Sequence, residues 1–107
     1  MTDRELLEKA AKAAGLVLDD LCGRVVRREP DGQPVYWDPL KSDADALRLA
    51  VKLRLMIDFI NKTEGSYKYG HVVAVSSAGA FYEEGFGEAA TRRAIVRAAA
   101  AMAEDSK

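Results

Sequence analysis

Tyr36-Trp37-Asp38-Pro39-Leu40-Lys41-Ser42-Asp43-Ala44-Asp45-Ala46-Leu47 is the stretch on which the reading of this chain turns. An aromatic strand end runs into an Asp-Pro break, because proline has no N–H to continue a ladder. A Ser/Asp-rich helix start follows at once. Ser42 is placed to cap the helix, and Asp45 sits at the third position of its first turn, where a carboxylate meets free amides. From there Ala46, Leu47, Leu49, Ala50, Val51 and Leu53 form an apolar arc, with Arg48 and Lys52 four residues apart on the wet side. The stretch is a fold signature and carries no catalytic chemistry.

Toward the N-terminus, Thr2 and Glu5 make a capping box. Leu6, Leu7, Ala10, Ala11 and Ala14 share one face of the helix that follows. Gly15 stands where a left-handed terminus is expected, so the first helix covers about residues 3–14. Leu16–Leu18 and Arg24–Arg27 read as short strands around Cys22 and Gly23. Pro30-Asp31-Gly32-Gln33-Pro34 is a turn, and Val35–Trp37 returns as a strand, closing a hairpin over about residues 24–37.

Toward the C-terminus, Leu55–Ile60 alternates apolar residues on both faces, and His71–Val75 does the same. That pattern predicts central strands covered on both sides. Asn61–Gly70 is polar, with two glycines, and reads as a loop. Ala78–Gly87 reads as a second loop. A third helix spans about residues 88–104, with Ala94, Ile95, Ala98, Ala99 and Met102 as its buried stripe. The expected fold class is α+β, a largely antiparallel sheet with helices on both faces (an α-β-α sandwich), in the order α-β-β-β-α-β-β-α.

The chain has 107 residues, which suits one domain. Its 17 acidic and 16 basic residues leave a net charge of −1, with no overall pull toward nucleic acid or anionic lipid. One cysteine, Cys22, cannot close an intrachain disulfide, which favours a reducing compartment. No apolar run approaches the roughly 18–20 residues that a membrane span needs. The charged start Met1-Thr2-Asp3-Arg4-Glu5 lacks a signal-peptide core. These features read as cytoplasmic, with no membrane association.

Three segments carry a family resemblance: Leu6-Leu7-Glu8-Lys9-Ala10-Ala11-Lys12-Ala13-Ala14-Gly15-Leu16; Trp37-Asp38-Pro39-Leu40 with Asp43-Ala44-Asp45-Ala46-Leu47-Arg48-Leu49; and Ala90-Thr91-Arg92-Arg93-Ala94-Ile95-Val96. In this order the chain resembles small bacteriophage and prophage proteins with an α-β-α (ABA) sandwich domain, related to the NinX-like phage proteins. Asn61 to Phe86 takes no part in the resemblance. It implies one such domain over residues 1–107 and a phage-borne accessory protein in a bacterial host cell. It brings no activity and no functional residues.

Candidate sites have to be weighed against structural roles. Asp38, Asp43 and Asp45 carry the oxygen ligands of a Mg²⁺ or Ca²⁺ site, yet their spacing lacks the glycine and terminal glutamate of a calcium loop, and helix capping accounts for them. His71, the one histidine, has no Ser-His-Asp or Cys-His pattern around it. No cofactor motif is present; Gly79, Gly85 and Gly87 lack the order of a phosphate-binding loop. Arg24, Arg27 and Arg28 on the hairpin, and Arg92, Arg93 and Arg97 on the third helix, make two basic clusters of the kind that contact phosphates. They carry the alternative reading of a nucleic-acid-binding module. Tyr67, Tyr69, Phe81, Tyr82 and Phe86 stand among glycines in the loops of the second half. The leading expectation is a non-enzymatic protein that binds a host or phage protein through an edge of Tyr67, Tyr69, Tyr82 and Phe86, with Glu83 and Glu84 on its rim. Homodimerisation is compatible with that reading.

Overall fold

The computed structural model describes residues 2–21, 23–64, 67–85 and 87–105, with backbone alone for residues 61–64, 67–69 and 105. The elements run α1 (Asp3–Ala14), β1 (Leu18–Leu21), β2 (Arg24–Arg28), β3 (Pro34–Tyr36), α2 (Asp43–Leu53), β4 (Met56–Glu64), β5 (Tyr67–Ser76), β6 (Gly79–Glu84) and α3 (Glu88–Asp105). The class is α+β, and every strand pair is antiparallel. The strands form two three-stranded sheets, β1-β2-β3 and β4-β5-β6. One more strand is present than the pattern predicts.

Local chemistry sets the helix ends. Thr2 caps α1 by accepting from the Glu5 N–H at 3.2 Å. The Glu5 carboxylate accepts from the Thr2 hydroxyl rather than from the Thr2 backbone N–H, so only half of the expected capping box is formed. Gly15 takes φ 74° and donates to Lys12, while the Leu16 N–H reaches back to Ala11 at 2.9 Å. This double closure is a Schellman motif. It occupies Leu16, so β1 starts at Leu18 rather than two residues earlier. Ser42 accepts from the Asp45 N–H at 3.2 Å and caps α2. Arg54 ends α2 in the left-handed region at φ 53°, a conformation with a steric cost for any residue bearing a Cβ.

The main core lies where α1, α2 and α3 meet over Trp37: Leu6, Leu7, Ala10, Ala46, Leu49, Ile95, Val96 and Ala99 are all buried there. A second cluster joins Ala94 and Ala98 of α3 to Val72 and Ala74 of β5. Thus α3 is buried on two sides, against helices and against the second sheet. On α2 the face at Ala46, Leu49 and Ala50 is buried, and Leu53 packs against it. Leu47 and Val51, expected in the apolar arc, are exposed. They sit one residue beyond the buried i, i+3, i+4, i+7 positions, about 100° around the helix from the core.

Three expectations about the second half are corrected. The segment read as the loop Asn61–Gly70 is strand: β4 and β5 stay in register from Met56↔Val75 to Glu64↔Tyr67. A ladder uses backbone groups, so polar residues do not end it. Within the expected loop Ala78–Gly87, β6 pairs with β5 from His71↔Glu84 to Ser76↔Gly79. Its presence makes β5 the middle strand and β4 an edge. The expectation that β4 is central fails for that reason, and the expectation that Met56 and Ile57 are both buried fails because, among the described residues, α3 packs on one face of the sheet alone. Ile57 packs into the core, whereas Met56 is 63% exposed on the opposite face.

Candidate functional site

The register places nine residues on the outer face of the second sheet in three rows: Met56, Val75 and Ala80; Asp58, Val73 and Tyr82; Ile60, His71 and Glu84. Alternate residues face the other way, toward α3, including Ile57, Val72, Ala74 and Phe81. At the centre of the outer face Val73 is buried by its neighbours. Tyr82 is 55% exposed beside it, and its ring meets the imidazole of His71 edge-on, with centroids 5.4 Å apart. Asp58 and Glu84 are exposed at the margins. The result is an apolar surface with an aromatic anchor and a polar rim, the composition of protein contact surfaces.

The expected partner-binding residues are distributed as follows. Tyr82 and Glu84 share the outer face. Glu83 lies on the inner face, where it pairs with Arg97 and, at 3.7 Å, with Arg93. Tyr67 and Tyr69 stand at register positions of β5 opposite Glu64 and Lys62; their side chains, and Phe86 altogether, lie outside the described residues. Met56, Val73 and His71 complete the face, and sequence reasoning assigned them to strand framework. The signal was the alternation Met56, Asp58, Ile60, but which face of a strand is open depends on β6 and on where α3 packs.

The arginine clusters are engaged internally. Arg27 pairs with Glu29, Arg28 with Asp19 at 2.8 Å, and Arg92 with Asp43 while also donating to the Leu40 carbonyl at 2.9 Å. Arg93 reaches Asp3 at 3.1 Å, and Arg97 holds Glu83 and donates to the Tyr82 carbonyl. Arg24 lies over the Tyr36 ring, 3.7 Å from its centroid. These partners offset the positive field that phosphate binding would use. The Arg28 guanidinium, then the Asp20 N–H, hold the Asp19 carboxyl below its ordinary range. Asp20, then Glu8, raise the Arg4 guanidinium.

The acidic cluster is likewise occupied. Asp38 accepts from the Leu40 N–H at 3.1 Å, and Asp45 accepts from the Asp38 N–H at 2.9 Å and from Arg48 at 3.3 Å. Among the described residues no group of three or more His, Cys, Asp or Glu is arranged to hold a metal. Cys22 lies outside the described residues. Among the described residues no helix is long and apolar enough to cross a membrane.

Comparison with protein families, with curated proteins and with solved structures found no match to this chain.

Proposed function

We propose that this is a phage-type accessory protein that acts by binding another protein, and that the outer face of the second sheet is its contact surface. The observation that carries the reading is the exposure of Met56 and Tyr82 on the face opposite α3, which no helix covers among the described residues. Tyr82 is the anchor: an aromatic ring supplies large contact area at low entropy cost and is held by His71 before a partner arrives. Glu84 on the rim favours a partner whose apolar contact residues are flanked by Lys or Arg. The phage setting rests on the resemblance of residues 6–16, 37–49 and 90–96. The internal engagement of the arginines makes protein a better-supported partner than nucleic acid.

The test is a comparative pull-down from bacterial lysate with the wild type and a Met56→Ser/Tyr82→Ala variant matched by circular dichroism. The expected result is loss of a bound species, with affinity falling by about 2 kcal/mol or more once that species is purified. If the variant retains every species that the wild type recovers, the outer face is not the contact surface.

A further inference from the structure

The two sheets have four edges, and three are guarded. β1 is four residues long and carries Asp19 and Asp20; β3 is three residues long and begins at Pro34. On β6 the Tyr82 carbonyl accepts from Arg97 at 2.7 Å, so part of that edge is already bonded. Short length, charge, proline and covered carbonyls are the usual ways a sheet avoids pairing with another chain. β4 is nine residues long. Along Met56–Ile60 its backbone has no hydrogen-bond partner other than β5 among the described residues. A cleft of about 400 Å³, lined by Leu47, Ile57, Phe59 and Ile95, runs beside it.

The parity of the ladder says which groups are offered. The Gly85 N–H bonds the Gly70 carbonyl at 2.9 Å, so even-numbered residues of β5 address β6 and odd-numbered ones address β4. His71 pairs with Ile60, and Val73 with Asp58. Even residues of β4 therefore bond β5, and the N–H and C=O of Ile57, Phe59, Asn61 and Thr63 point outward. An antiparallel partner must match these outward groups residue for residue.

We propose that β4 is the seat of a homodimer, in which two copies pair antiparallel through this edge about a twofold axis at Ile60, making one six-stranded sheet. Charge complementarity selects this pairing. Centred on Ile60, the register sets Asp58 opposite Lys62 of the other copy, twice by symmetry. It sets Ile60 opposite itself, Phe59 opposite Asn61 and Ile57 opposite Thr63. Other centres are worse. Centring on Asp58 sets two carboxylates face to face, centring on Asn61 sets Asp58 against Glu64, and centring on Phe59 leaves Asp58 against Ile60 and Lys62 against Met56. Like charges directly opposite one another destabilise a strand pair, and opposite charges stabilise it. Charges that would otherwise guard the edge become the device that selects its partner and register. The dimer is held by the backbone edge of β4, with Asp58 and Ile60 at the margin of the outer face setting its register, and it does not depend on the function proposed above.

The experiment is a charge swap read by sedimentation equilibrium of the full chain. The wild type is expected to dimerise. Asp58→Lys and Lys62→Asp alone each place like charges opposite one another and should weaken dimerisation on the order of tenfold or more. The double swap restores opposite charges and should recover the wild-type constant. Circular dichroism checks that each variant is folded, and Tyr82→Ala should leave the dimer unchanged. A second measurement needs no charge change: Ile60→Cys in a Cys22→Ser background should form an intermolecular disulfide on mild oxidation, because Ile60 would face its own copy at a non-hydrogen-bonded pair, where side chains are closest. A monomeric wild type, single swaps without effect, a double swap that fails to restore association, or no disulfide at position 60 would each overturn the proposal. A monomer whose β4 edge is instead taken by an unrelated protein counts among the overturning results.

Discussion

The two sheets solve the same problem in opposite ways. Each is three-stranded, antiparallel and packed on one side against helices. On the first, the outward residue Val26 of β2 is only 1% exposed, although among the described residues it belongs to neither of the helix-lined core clusters. It pairs in register with Asp19 on one side and Tyr36 on the other. Around it Arg28 binds Asp19 and Arg24 stacks on Tyr36. Long cationic side chains use their stems to cover apolar surface while keeping their charge in water. On the outer face of the second sheet Met56 and Tyr82 have no such cover among the described residues. One face is closed by its own side chains; the other is left open. Exposed apolar patches are where contact sites tend to lie on small proteins, and closed ones are not.

The sharpest way to break this contrast is to apply one truncation, aromatic to alanine, to both sheets. Trp37 follows β3 and is buried against the helices. Trp37→Ala should lower unfolding free energy by about 3–5 kcal/mol. Tyr82→Ala on the open face should cost about 1 kcal/mol or less, since it removes exposed area and one edge-on ring contact. Urea denaturation of both variants measures the gap, and equal costs would show that the second face is closed in solution.

A smaller effect sharpens the comparison between outer faces alone. Val26→Ala removes two buried methyl groups and should cost about 2 kcal/mol. Met56→Ala should stay within about 0.5 kcal/mol of the wild type in the monomer. A Val26→Ala cost as small as that of Met56→Ala would mean that the Arg24 and Arg28 side chains do not cover the first face.

The smallest effect is the pH response of that cover. Pairing with Arg28 depresses the Asp19 carboxyl in the folded chain relative to its ordinary 3.8. The stabilising contribution is therefore present above the unfolded value and is lost as pH falls through the folded one. Melting temperatures of the wild type and Asp19→Asn should differ at about pH 5 and converge toward about pH 2. A gap that persists at low pH would assign the effect to something other than the Asp19 charge.

Much of the fold was legible in the sequence, and the boundary between the readable and the unreadable is physical. Helix ends rest on short-range chemistry. The Thr2 and Ser42 hydroxyls, which accept from the Glu5 and Asp45 N–H groups, and Gly15 each behave as their residue types and spacing predict, since every bond involved closes within five residues. The β2–β3 hairpin was readable for the same reason. The extent of β4 and β5 was not. Residues 61–64 and 67–70 are polar, and their strand character comes from cross-strand backbone bonds that leave no periodic trace. Nor could the pattern show that Met56 is open and Ile57 closed, because both are apolar residues of one strand. That choice is made by α3, some thirty residues later in the chain. The candidate face was half visible for the same reason: Tyr82 was singled out by its type, while Glu83 next to it turned out to lie on the inner side, held by Arg97.

The packing of α1 on α3 has a consequence for how the chain acquires its structure. These helices contribute small side chains to one buried cluster, Ala10, Ala11 and Ala14 from α1 and Ala99 and Ala100 from α3, and Lys9 pairs with Glu104 between them. α1 therefore waits for α3. At ribosomal rates of about 5–20 residues per second, several seconds separate the emergence of Ala14 from that of Glu88. During that interval α1 has α2 for company but not its main neighbour, and an isolated helix of its length is marginal in water. The two sheets can form their local hairpins early. The core can close only when α3 arrives and inserts between the second sheet and α1, so α3 sets the moment at which this domain becomes cooperative.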